Sequence, residues 1–136
     1  MIKQIFSVKH YWEVVVFYDL DYHLFNIVAT EMRNIGADKN DMAEIYNKMR
    51  YGKAKAVTYS NTLEHASIVV FNKHKSKKDY INSIVHEAEH VKQAMLQAYK
   101  VEDMGESPAY TIGYLIGKMY EVFGSIVCSC NNMETY

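Results

Sequence analysis

The chain has 136 residues, of which 49% are hydrophobic and 23% charged, and its formal net charge is −1. This length suits one domain with a hydrophobic core, and the balance is that of an ordinary globular protein. A charge so close to zero gives no reason to expect nucleic acid or an anionic membrane as a partner. The N-terminus lacks the apolar run of a signal peptide, and the apolar stretch 109–123 is too short to cross a bilayer. A cytoplasmic protein is therefore expected.

The first half of the chain predicts strands and helices in turn. Residues 3–19 are rich in β-branched and aromatic side chains, which indicates one or two strands. Two helices are predicted next, over 22–34 and over 41–50, because apolar residues recur there at helical spacing behind polar capping residues. Two short β-rich runs, 54–59 and 66–71, then predict two strands of a small sheet.

The second half predicts two longer helices. Ser76 is a suitable cap for a helix over about 77–99, and a Gly and a Pro mark the break that follows it. The last helix is predicted over about 107–127. This order of elements predicts one α+β domain over residues 1–136, in which a short, mostly antiparallel sheet packs on the long helix and on the helix after it.

Two cysteines, Cys128 and Cys130, stand one residue apart near the C-terminus. So short a spacing strains a disulfide, and no neighbouring His or second Cys pair completes a metal site. Both thiols are therefore expected to be buried or half-buried in a reducing compartment.

The long helix carries His86-Glu87-Ala88-Glu89-His90, an H-E-x-x-H motif. Residues four apart lie on one face of a helix, so the two imidazoles can reach one ion. Glu87 is rotated by about 100° from His86, so it stands beside the ion without having to bind it. From there its carboxylate can take a proton from a water that the ion has activated. The motif predicts one bound Zn²⁺, with His86 and His90 as ligands and Glu87 as general base.

The rest of the helix predicts that these histidines are accessible. They lie nearly opposite the apolar stripe, and Gln93 and Gln97 share their side. Histidines that merely fill a core would point the other way. In the alternative interpretation the motif is accidental, and its histidines only alternate with glutamates in solution. The stripe predicted to face the core consists of Ile81, Ile84, Val85, Ala88, Val91 and Met95.

A catalytic zinc needs a third protein ligand, and Glu106 is the first candidate. It stands where the chain turns back toward the metal helix. If that helix continues to Tyr99, its end lies about 14 Å from His90, so the connecting loop must fold back for Glu106 to reach the ion. Otherwise Glu106 is simply an acid favoured near a helix N-terminus. The fallback ligands are Glu102, Asp103, His65 and His74.

Tyr110 and Tyr114 lie one and two turns into the last helix. If that helix packs antiparallel to the metal helix, their phenols can approach the metal cleft, where Tyr110 is the candidate for donating a hydrogen bond to an oxyanion. The alternative is that both rings fill the seam between the two helices. Gly113 and Gly117, four apart, predict that the two helices approach closely.

The chain resembles a small zincin-type metallopeptidase of phages and other mobile elements of bacteria. The resemblance covers mainly residues 66–120. The arrangement Glu106-x-x-Ala109-Tyr110 is also similar to the glutamate-bearing helix of the repressor-cleaving metallopeptidases of integrative elements. The segments that carry the resemblance are 84–90, 105–110 and 112–115.

This resemblance implies both a ligand and a substrate site. Glu106 would complete the zinc site, as the corresponding glutamate does in such proteins. A strand along the cleft, here 66–71, would hold an extended substrate peptide by strand addition.

The leading hypothesis is therefore a zinc-dependent metallopeptidase that hydrolyses a peptide bond in a peptide or protein substrate. The alternative is a metal-stabilised interaction protein of a phage or mobile element, which binds a partner without cutting it. Four protein ligands and no exchangeable water would favour that alternative.

Overall fold

The computed structural model describes residues 1–9 and 11–129. In this part of the chain it confirms the α+β prediction, with a four-stranded sheet and four α-helices in the predicted order. None of the described helices combines the length and the apolar content needed to cross a membrane. Cys130 and the side chain of Cys128 lie outside the described residues, so the statement about the two thiols stays a prediction. The elements are β1 (Ile2–Val8), β2 (Trp12–Tyr18), a 3₁₀ turn (Tyr22–Leu24), α1 (Phe25–Asn34), α2 (Lys39–Arg50), β3 (Ala56–Asn61), β4 (Ala66–Phe71), α3 (Lys77–Tyr99) and α4 (Glu106–Ser129).

The sheet has the strand order β1-β2-β4-β3. It is mostly antiparallel, as predicted, because β1 pairs antiparallel with β2 and β3 antiparallel with β4. The pair β2 and β4 is parallel. Parallel neighbours need a crossover connection, and α1, α2 and β3 provide it here. As a result β2 and β4 are central, and β1 and β3 are the two edges.

Helices cover both faces of this sheet. Successive side chains of a strand point to opposite faces, so the two central strands are apolar along most of their length. One face packs on α3 and α4, as predicted, and the other packs on α1 and α2. The first layer includes Val14, Val16, Val69, Ile84, Ala88, Leu115 and Met119, and the second includes Val15, Phe17, Ile68, Val28, Met32, Ile45 and Met49.

Side-chain caps define where the two helices beside β3 begin. Asp38 and Asp41 form a reciprocal capping box at the start of α2, in which each side chain accepts the other's backbone N–H. The Ser76 hydroxyl accepts the backbone N–H of Asp79, which confirms Ser76 as the cap of α3.

Two predictions about helix faces are wrong. Val85 is 45% exposed and does not belong to the core, because it lies about 100° around the helix from Ile84. An added Cβ at Gly113 or Gly117 would meet no atom within 4 Å. These glycines therefore face open space and do not bring the two helices together, and the packed side of α4 carries larger residues such as Leu115.

Candidate metal centre

The two histidines of the motif lie side by side on the exposed face of α3. Their Nε2 atoms are 3.1 Å apart. Two nitrogens bound to one tetrahedral zinc, each at about 2.0–2.1 Å, would be about 3.3 Å apart, so the imidazoles of His86 and His90 need little movement to share an ion. Gln93 and Gln97 are exposed on the same helix. The predicted polar, accessible face of α3 is therefore confirmed.

Glu87 stands between α3 and the edge strand β3. It is only 4% exposed, and its Oε1 accepts a hydrogen bond from the Thr58 hydroxyl at 2.9 Å. Its other oxygen, Oε2, lies 4.0 Å from Nε2 of His86. A buried carboxylate without hydrogen bonds is costly, so Thr58 both stabilises Glu87 and orients it. Sequence reasoning missed Thr58, because nothing in a short strand indicates which distant helix its hydroxyl will meet.

The three motif residues line an open cleft of about 310 Å³. α3 forms one wall of the cleft and α2 the other, and the edge strand β3 lies between them. The cleft is mainly polar, since imidazoles, carboxylates, an ammonium group and hydroxyls all face it. Besides the motif, the lining includes Asp41, Glu44 and Lys48 from α2 and Ala56, Thr58 and Tyr59 from β3.

The predicted third ligand, Glu106, does not line this cleft. It is the first residue of α4 and is exposed. Across residues 1–9 and 11–129, no group of three or more His, Cys, Asp or Glu side chains is arranged to hold a metal ion. His86 and His90 suit two positions of a zinc site, and among the described residues no further His, Cys, Asp or Glu side chain completes a metal-binding group with them.

The fallback ligands do not join the histidine pair either. Asp103 forms an ion pair with Lys92 at 3.1 Å. His74 and His65 make their contacts outside the cleft, the first by hydrogen bonding and the second by stacking. Glu102 is exposed in the connection between the last two helices.

Lys92 holds the connection between α3 and α4 against α3. The residue is 7% exposed, and its Nζ lies 2.8 Å from Glu89 and 3.1 Å from Asp103. Hydrogen bonding, first to Glu89, raises the pKa of Lys92, and hydrogen bonding from Lys92 lowers the pKa of both carboxyl groups. By helical geometry Lys92 is about 140° around α3 from Glu87. The connection is therefore held on a different side of the helix from the cleft.

Tyr110 and Tyr114 line a second cavity, between α4 and the end of β1. Tyr110 is 71% exposed, and the Tyr114 hydroxyl donates to the carbonyl oxygen of Ser7 at 3.1 Å. The structure does not bring Tyr110 to the histidine pair, because α4 packs beside β1 whereas α3 packs beside β3. Neither ring lines the cleft that contains Glu87.

The strand expected to hold a substrate, 66–71, is wrongly assigned. β4 is central, buried along its whole length and paired on both sides, so its backbone has no free edge for a peptide. β3 has that edge. The backbone N–H of Asn72 donates to the carbonyl of Lys55. Since hydrogen-bonded pairs alternate along an antiparallel ladder, the N–H and C=O groups of Ala56, Thr58 and Ser60 point away from β4.

Comparison of the chain with family models, with curated proteins and with solved structures gave no match. The evidence for function is therefore the cleft itself. Two convergent imidazoles, a buried carboxylate beside them and an unpaired strand edge meet there.

Proposed function

We propose that the protein is a zinc-dependent peptidase, in which His86 and His90 hold the metal and Glu87 is the general base. The observation that carries this proposal is the 3.1 Å approach of the two Nε2 atoms beside the carboxylate of Glu87. Histidine is a common zinc ligand, and a carboxylate one residue along the helix is near the ion without occupying its coordination sphere. The cytoplasm is the proposed location, on the sequence grounds given above.

The proposed chemistry divides between the metal and the side chains of the cleft. Zinc, when bound, supplies Lewis acidity, which polarises a carbonyl and makes a nearby water more acidic. Glu87 accepts the proton of the attacking water and passes it to the leaving amine. The Thr58 hydroxyl holds Oε1 of Glu87 at 2.9 Å, which leaves Oε2 on the side of His86 for this transfer. Thr58 is thus a positioning residue in this proposal.

The substrate in this proposal is an extended peptide. The unpaired N–H and C=O groups of β3 can hydrogen-bond a peptide laid along the strand, and the Glu87 carboxylate stands at the level of Thr58. The bond to be cut would then lie near Thr58. Glu106 as third ligand and Tyr110 as oxyanion donor are implied by the sequence alone, and the experiment below includes Glu106.

The metal content of the purified chain tests the first half of the proposal. The protein is prepared without chelator and without a histidine tag, beside His86→Ala and Glu106→Gln. We expect about one zinc per chain in the wild type and its loss in His86→Ala. If Glu106 is the third ligand, Glu106→Gln binds zinc more weakly, and if it is not, the affinity is unchanged. A wild type that takes up no zinc on titration would end the peptidase proposal.

The role of Glu87 is tested by hydrolysis of a mixed peptide pool, followed by mass spectrometry. Glu87→Gln should keep its zinc and lose about 10²- to 10⁴-fold in rate, because the amide cannot accept the proton. Glu89→Gln is the matched control, since Glu89 belongs to the same motif but points to Lys92. Equal rates for wild type and Glu87→Gln would show that Glu87 is not the base.

A further inference from the structure

The charged side chains of α2 are ordered along the edge strand β3. Oδ2 of Asp41 lies 3.4 Å from the Tyr59 hydroxyl, near the C-terminal end of the strand. At the other end, the carbonyls of Met49 and Ala54 both accept hydrogen bonds from the side chain of Asn72. α2 therefore runs antiparallel to β3, so Asp41 lies near the strand's end and Lys48 near its beginning.

The opposite wall, α3, runs parallel to β3. Oδ2 of Asp79 lies 3.3 Å from Nζ of Lys55 just before the strand, and Glu87 meets Thr58 in its middle. Another cavity, also of about 310 Å³, adjoins the cleft on the side of Lys55 and shares Ala56, His86 and Glu87 with it. The cleft and this adjoining cavity together form one groove along the free edge of β3, with Glu87 near its middle.

This groove has opposite charges at its two ends. From the Tyr59 end to the Ala56 end, α2 presents the carboxylates of Asp41 and Glu44 and then the ammonium group of Lys48. Lys55 adds a second ammonium group at the Ala56 end, where it is paired with Asp79 of α3 at 3.3 Å, so Lys48 gives this end its net positive charge. Glu44 and Lys48 pair at 2.9 Å with side chains 62% and 58% exposed. Exposed pairs of this kind are weak, so each partner can turn toward a charged ligand.

We propose that the groove selects peptides by the order of their charges. The preferred peptide carries a basic side chain on the N-terminal side of the bond facing Glu87, and an acidic side chain or terminal carboxylate on the C-terminal side. The inference deepens the proposed function and rests on it for the position of the cleaved bond. It follows from antiparallel addition to β3, which is the more stable pairing and directs the peptide N-terminus toward Asp41.

Because side chains of a strand alternate, only every second residue of the bound peptide faces α2. An odd number of residues would therefore lie between the basic residue and the acidic residue, as in Lys-x-Glu. The residue between them faces α3 and the histidines. The reverse order, Glu-x-Lys, would bring like charges together at both ends of the groove.

The test compares two peptides of identical length and composition, one with its lysines before its glutamates and the other with the order reversed. Fluorescence anisotropy measures their binding to Glu87→Gln, with and without added zinc, so that cleavage does not interfere. We expect the lysine-first peptide to bind about tenfold more tightly, with the difference shrinking as salt screens the charges. The double variant Glu44→Lys with Lys48→Glu, also made in Glu87→Gln, keeps the ion pair and the net charge but should reduce or reverse the preference.

Two variants of Ser60 test where the peptide binds. Ser60→Pro removes an N–H that points away from β4, so the strand keeps its ladder while the peptide loses a donor. It should weaken binding of both peptides, whereas Ser60→Ala should not. Equal binding of the two peptides, binding of neither, or a preference unchanged by the Glu44/Lys48 exchange would overturn the inference. Zinc content and hydrolysis rate of the wild type, measured separately, distinguish this failure from that of the proposed function, because neither depends on the order of charges in the peptide.

Discussion

At the scale of single residues, the proposed role of Glu87 as a base depends on its contact with Thr58. Its carboxylate is nearly covered by α3 and β3, and the Thr58 hydroxyl is the partner that makes this burial tolerable. The H-E-x-x-H spacing predicted that Glu87 stands beside a metal, but only the contact with Thr58 shows which of its oxygens remains free. Replacing Thr58 by Val would leave Oε1 without its donor, a change that costs about 1–3 kcal/mol when the acceptor is buried.

His74 predicts a pH dependence of stability. One ring nitrogen lies 2.7 Å from the carbonyl of Asn72 and the other 2.7 Å from the hydroxyl of Ser83, and burial of the ring lowers the pKa of His74. The neutral ring is therefore favoured in the folded state, so around the ordinary histidine pKa, about 6.5, the unfolded chain binds more protons than the folded protein. The free energy of unfolding should fall as the pH drops through this range, until the folded protein also takes up the proton.

Urea unfolding at several pH values measures this slope in the wild type and in His74→Gln. The variant lacks the titrating ring, so its slope should be smaller, while the other histidines contribute equally to both proteins. Parallel curves would mean that His74 takes up its proton as easily in the folded protein as in the unfolded chain.

At the scale of elements, two neighbouring strands of the chain occupy different positions in the sheet. β3 and β4 are both six-residue strands that form a hairpin, and the family resemblance implied that β4 is the substrate strand. β4 instead pairs with β2 on its other side, which leaves β3 with the free edge. The apolar run of β4 indicates a strand buried on both faces, but the pairing itself joins segments far apart in the chain, and the run does not show which segment pairs with it.

The glycines of α4 give a prediction at the same scale. Gly113 and Gly117 lie in a helix interior and a Cβ there would meet nothing within 4 Å. Each Gly→Ala replacement should stabilise the protein by about 0.5–1 kcal/mol, because alanine loses less backbone entropy on folding. Gly36→Ala is the contrasting control. Gly36 has φ of +92° and its Cβ would lie 3.0 Å from Asn61 Nδ2, so this change should destabilise. Denaturant midpoints compare all three variants, and a loss of stability at both α4 positions would contradict their open setting.

At the scale of the whole molecule, the cleft exists because two helices distant in sequence flank the edge of one strand. α2 lies on one face of the sheet and α3 on the other, and both line the cleft beside β3. A metal bound by His86 and His90 would therefore stabilise the folded chain, since the unfolded chain does not hold the two imidazoles together with the rest of the cleft.

Zinc should raise the stability of the folded protein by mass action. At a free zinc concentration of about one hundred times Kd, the free energy of unfolding should increase by about 2.7 kcal/mol, and a chelator should remove the increase. His86→Ala is the control, and its unfolding should not respond to zinc. Denaturant unfolding with and without metal provides the measurement. A wild-type curve unmoved by zinc would show that the histidine pair binds none.

The sequence by itself determined the order of the elements, the start of α3 at Ser76 and the exposed face shared by His86 and His90. These features depend on helix and strand periodicity, which relates residues only a few positions apart. Tertiary structure decided that β3 is the free edge, that Thr58 holds Glu87, and that Glu106 and Tyr110 lie outside the cleft. Those outcomes follow from strand pairing and helix packing between distant segments, where the free energy of burying whole surfaces outweighs any local preference.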